Sequence, residues 1–146
     1  LLEPFLAFAA ALATRGTLPR GVSELLALRA AWNCRSEFEW GHHVDYARSA
    51  GLSDTEIAAV AIGPDAPSWS EADRILLVAA DELHAQQVIS DATWTALATR
   101  WSAAQLVEIP FVVGQYTMLS MVAGALAVPL EEGLARLPRG SGAAAS

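Results

Sequence analysis

Lysine is missing from this 146-residue chain: its nine basic residues are all arginines, set against sixteen acids for a formal charge of −7. Schiff-base chemistry, a pyridoxal phosphate anchor and a phosphate-gripping P-loop lysine each need a primary amine, so all three are excluded. Scattered arginines on an acidic chain also argue against nucleic acid as a partner, because neutralising phosphates takes clustered positive charge. Cysteine occurs once, at Cys34, which excludes an internal disulfide and a two-cysteine redox couple within the chain. Charge of either sign is scarce, 17% of residues against about 25% in an ordinary soluble domain. No stretch resembles a signal peptide, and a cytoplasmic location is expected.

What the chain has instead is apolar surface, 53% of its residues. Ile109 to Leu130 carries no charge over a length that could span a bilayer, but Gln115, Tyr116, Thr117 and Ser120 interrupt it and no basic flank orients it. Burial between subunits is the expectation, with no membrane partner. Apolar residues recur at three- and four-residue spacing in seven segments: Phe5 to Leu12, Val22 to Trp32, Phe38 to Tyr46, Ile57 to Ile62, Ile75 to Leu83, Trp94 to Trp101 and Leu106 to Leu126. Sustained alternation occurs nowhere, so the predicted fold class is all-α with about seven helices. Ser53 with Glu56, Ser68 with Glu71 and Ser102 with Gln105 have the spacing of capping boxes, and Pro110 is expected to end a first turn or kink the last helix. Residues 1–139 read as one domain and 140–146, rich in Gly, Ala and Ser, as a flexible tail.

Ionisable groups are densest in Cys34-Arg35-Ser36-Glu37-Phe38-Glu39-Trp40-Gly41-His42-His43. On a helix, Ser36, Glu39 and His43 share one face, with Glu39 one turn before His43. A carboxylate there orients the imidazole and raises its basicity, as a general acid/base requires. Phe38 and Trp40 are expected to wall a pocket beside the acids. Gln115 and Tyr116 on the last helix are candidates to add polar groups to that pocket or to a subunit contact. Glu39 and His43 could alternatively ligate a metal, although no third-ligand motif accompanies them. Ser36 reads first as a helix cap, and Cys34 as a small buried residue next to Trp32.

The chain resembles the carboxymuconolactone decarboxylase-like proteins, which include alkylhydroperoxidase D. Their motif is a glutamate, eleven residues, then Cys-x-x-Cys-x-x-x-His and a helix ending in Ala-Gly-Leu. Ala50-Gly51-Leu52 is present here, which places His43 on the motif histidine, Ser36 and Glu39 on the two cysteines and Glu24 on the glutamate. Downstream, Asp81-Glu82-Leu83-His84, Ser90-Asp91-Ala92-Thr93-Trp94 and Gly114-Gln115-Tyr116-Thr117-Met118 are similar to the subgroup with Glu-Tyr/Phe-Glu-Trp in place of the redox cysteines.

The resemblance implies an all-helical alkylhydroperoxidase D-like domain packed into homotrimers or homohexamers. With both thiols replaced, the dithiol peroxidase cycle is lost. What remains implies catalytic Glu24, Glu39 and His43, with Ser36, Phe38, Trp40, His42, Gln115 and Tyr116 around a small-molecule substrate and neither cofactor nor metal. Non-redox work on a small organic acid or lactone follows: decarboxylation, ring opening, isomerisation or cyclisation. A single-thiol peroxidase using Cys34, or a non-catalytic oligomeric scaffold, are the alternatives.

Overall fold

The computed structural model describes residues 1–139; the tail expected at 140–146 lies outside them. Seven helices follow in chain order: α1 (Leu2–Arg15), α2 (Arg20–Asn33), α3 (Glu37–Ser49), α4 (Asp54–Ile62), α5 (Glu71–Gln86), α6 (Asp91–Ala98) and α7 (Ala103–Ala125). Each overlaps one of the segments picked out by periodicity, and no strand occurs among the described residues. Serine sets most of the starts. Ser36, Ser53, Ser70, Ser90 and Ser102 each accept a hydrogen bond from the backbone three residues on, satisfying an amide that has no partner within the first turn. The boxes at Ser53 and Ser102 are complete. The one expected at Ser68 is not formed. Trp69 donates its indole N–H to the Gly63 carbonyl at 3.0 Å, and α5 starts two residues later on the Ser70 and Asp73 pair, which has the same spacing.

α2 is the axis of the fold, packed by α3, α4, α5 and α7. Its residues from Glu24 to Ala31 are all buried, so the two charged ones, Glu24 and Arg29, must find partners inside. Arg29 forks onto both Asp81 oxygens at 2.6 and 2.8 Å and donates to the Val60 carbonyl at 2.7 Å. Gly63 makes room for it: a Cβ there would stand 2.7 Å from the guanidinium, and φ at that residue is +100°.

α7 is long and apolar enough to cross a membrane by length and composition, yet one of its faces is core, through Leu106, Ile109, Val112, Val113 and Ala123. The helix runs on through Pro110 rather than ending there. α1 is different: none of its residues is buried. It lies along the outside, its Phe8 ring 6.1 Å from Phe111 of α7. The turn that follows it is tied to α7 by Glu108, which accepts from Thr17 N, Thr17 Oγ1 and Leu18 N at 2.7 to 3.0 Å. Burial pushes the Glu108 carboxyl up, but these bonds hold it below the ordinary carboxylate range.

Candidate functional site

A cavity of about 520 Å³ opens between α1, α3 and α7. From α3 it is lined by Phe38, Glu39, His42, His43 and Tyr46, a stripe at helical spacing; from α7 by Gln115, Tyr116 and Leu119; from α1 by Leu6, Ala9, Ala10 and Ala13. Arg20, the first residue of α2, completes the wall. Most of the lining is apolar, and Glu39, Tyr46 and Tyr116 surround one histidine, His43.

His43 is buried, with a carboxylate at each ring nitrogen. Nδ1 donates to Glu24 Oε2 at 2.6 Å, and Nε2 faces Glu39 Oε2 at 3.6 Å, too long for a hydrogen bond and short enough for an ion pair. Glu24, 1% exposed, sits behind the ring and uses its other oxygen to pair with Arg20 one turn earlier in α2. Burial alone would lower the His43 pKa; the hydrogen bond that Glu24 accepts and the nearby Glu39 carboxylate, with the negative charge of both, overcome it and leave the pKa raised above the ordinary 6.5. Tyr116 meets the imidazole nearly edge to face, with centroids 4.2 Å apart. Burial, reinforced by the Glu24 charge, pushes its phenol up to about 12, so it stays a neutral hydroxyl.

Glu24, Glu39 and His43 are thus brought together, and His42, Phe38, Gln115 and Tyr116 share the same cavity. His42 packs at a tilt against Phe38, ring centroids 4.6 Å apart, and contacts Glu131 at 3.1 Å. Two expected members stand elsewhere. Trp40 is 2% exposed and packs on Trp32 at 6.0 Å in the core, because Trp40, Val44 and Ala47 form the stripe of α3 that faces inward. Ser36 is the N-cap of α3, its hydroxyl accepting from Glu39 N at 3.3 Å, and it too lies outside the cavity. Cys34 caps the end of α2 and borders a separate hollow of about 190 Å³. Among the described residues no three His, Cys, Asp or Glu side chains are grouped to hold a metal ion.

Sequence reasoning missed Arg20, Tyr46, Leu119 and the contribution of α1. Arg20 had a signal in its four-residue spacing to Glu24, and Tyr46 in its four-residue spacing to His42. Nothing in the sequence shows where α1 lies.

An all-helical domain with a buried glutamate–histidine pair at a cavity is the class that fold and site define. Residues 1–82 match the carboxymuconolactone decarboxylase family, and the chain belongs to it. Two solved structures share the fold. One is a protein of unknown function from Agrobacterium tumefaciens, suggested there to be the antioxidant defence protein AhpD, with 22% identity, a TM-score of 0.81 and coverage of 89% of this chain and 90% of that one. The other is an uncharacterized peroxidase-related protein from Silicibacter sp., with 18% identity, a TM-score of 0.81 and coverage of 90% and 70%. No curated protein matches the chain.

Proposed function

We propose that the protein is a cofactor-independent acid/base enzyme of the lyase or isomerase kind, acting on a small organic acid or lactone. The reading rests on one observation: a buried histidine bonded to a carboxylate at Nδ1, with its Nε2 and a second carboxylate together on the wall of a mostly apolar cavity. Glu39 is the base that takes a proton from carbon next to a carbonyl. His43, protonated, donates its Nε2 proton to the oxygen or carbanion on which charge develops. Glu24, held by Arg20, fixes the ring and supports its positive charge. Isomerisation and enolate cyclisation use both transfers; decarboxylation, in which CO2 leaves in place of the proton, uses only the donation from His43 to the resulting enolate. Lactone opening uses Glu39 to deprotonate the attacking water and His43 to protonate the departing ring oxygen. Cys34, outside the His43 cavity, has no part in it.

The enzyme is further proposed to work in the cytoplasm as a homotrimer or homohexamer, with no nucleic acid or membrane partner. The test is proton exchange and turnover on a panel of 3-oxo acids and lactones, followed by NMR in deuterated water. Glu39→Gln and His43→Ala should each lower the rate by about 10² or more. Full turnover in both variants, with helicity intact by circular dichroism, ends the assignment.

A further inference from the structure

Two groups on the cavity wall have capacity beyond that chemistry. The first is Arg20. Its guanidinium uses one Nη on Glu24 and the other on the Ala13 carbonyl at 3.1 Å, which leaves the rest of its five N–H donors, on a side chain 43% exposed, at the cavity. It is also the only permanent cation among the lining residues, whose other ionisable members are Glu39, His42, His43 and the tyrosines. The second is Gln115, 6% exposed, whose Oε1 is buried without a hydrogen-bond partner among the described residues. A buried acceptor left unpaired is destabilising, and a donor on a bound molecule relieves it.

Resting on the acid/base reading, we propose that the cavity selects a carboxylic acid bearing a hydroxyl or N–H donor. Its carboxylate is held by Arg20, its donor by Gln115 Oε1, and its apolar body lies against the alanines of α1 and against Leu119. Charge arithmetic supports the anion. With His43 protonated, Arg20, Glu24, His43 and Glu39 sum to zero, so an incoming carboxylate meets no net repulsion; without Arg20 the set is negative and a second anion is disfavoured. The planar fork of arginine also suits the two oxygens of a carboxylate.

Calorimetric binding of benzoate, its uncharged counterpart benzamide and the three hydroxybenzoates tests this without any turnover. The wild type should prefer benzoate to benzamide by at least tenfold, as expected of a charge-assisted contact. Arg20→Met should abolish that preference, weakening benzoate far more than benzamide, whose carbonyl loses only an uncharged contact, and Arg20→Lys, which keeps the charge and loses the fork, should fall between. One hydroxybenzoate should bind about fivefold tighter than benzoate, a gain that Gln115→Leu removes. Equal binding of benzoate and benzamide, no binding of any of the carboxylates, or an undiminished benzoate preference in Arg20→Met overturns the role of Arg20. If Arg20→Met fails to fold, Arg20→Lys decides in the same way. A hydroxyl gain that survives Gln115→Leu overturns the role of Gln115. Glu39→Gln separates the two readings: it should keep the benzoate preference while losing turnover. Full turnover in that variant sinks the acid/base reading and leaves the binding result standing.

Discussion

His43 is bonded through Nδ1 to the buried Glu24 carboxylate, and this contact gives the site its pH dependence. The imidazole pKa is raised above 6.5 in the fold, despite burial that opposes it. The stability contributed by its charge is therefore fully present below 6.5, the unfolded value, and is lost as pH rises through the folded pKa. The same limb should appear in activity, which falls as the Nε2 proton is lost. Glu24→Gln removes the charge at Nδ1, so it should move the His43 midpoint, read by NMR, to lower pH and destabilise the fold by about 1–3 kcal/mol. An unmoved midpoint in that variant refutes the coupling. Much of this site is legible in the sequence, because Glu39 and His43 are one helical turn apart and the family motif adds Glu24. Trp40 was misplaced for a local reason: its four- and seven-residue spacing to Val44 and Ala47 marks the core stripe, and adjacency to Glu39 says nothing about facing the same way. Gln115 and Tyr116 reach the site from α7 through long-range packing that no local pattern encodes.

At the scale of elements, the starts and faces of the helices were legible because each depends on a few neighbouring residues. Ser68 failed as a cap only because Ser70 offers the same spacing to Asp73 and the Trp69 indole is bonded to Gly63. How α1 attaches was not legible, since beyond the local bond from Arg20 to the Ala13 carbonyl it depends on contacts 88 or more residues apart in sequence. α1 has no buried residue, and its following turn is fastened to α7 by the Glu108 carboxylate and by Gln105 Nε2, which donates to the Thr17 carbonyl at 3.0 Å. Glu108→Ala deletes the bonds to Thr17 and Leu18, a loss of about 1 kcal/mol once partial exposure is allowed for. When opening is fast relative to cleavage, proteolysis follows the population of the open form. Trypsin, which in a chain without lysine cuts only at arginines, should therefore cleave after Arg15 roughly fivefold faster in the variant. Cleavage after Arg29, in the buried middle of α2, should stay slow. Equal rates at Arg15 in both proteins mean that something other than Glu108 holds this turn.

The shortage of charge finds its place at the scale of the whole molecule. Val107, Phe111, Met118 and Val122 form an exposed apolar stripe on α7, opposite the face that enters the core, and Leu2, Leu6 and Phe8 are exposed on α1. The one charged residue of α7, Glu108, is already engaged with the α1–α2 turn. Soluble monomers seldom leave so continuous an apolar strip open to water, because its burial between subunits is favourable at about 25 cal/mol per Å². The proposed homo-oligomer uses this strip. In a symmetric assembly one substitution on it is repeated in every subunit, so a glutamate there places like charges in or near the same contact. Met118→Glu should dissociate the assembly to the 15.4 kDa chain in size-exclusion chromatography with light scattering, with helical content unchanged. Val122→Glu, one turn further along the stripe, should do the same. The wild type should elute at three or six times the chain mass, and a wild type that elutes at 15.4 kDa would leave the strip exposed and remove the argument for subunit burial.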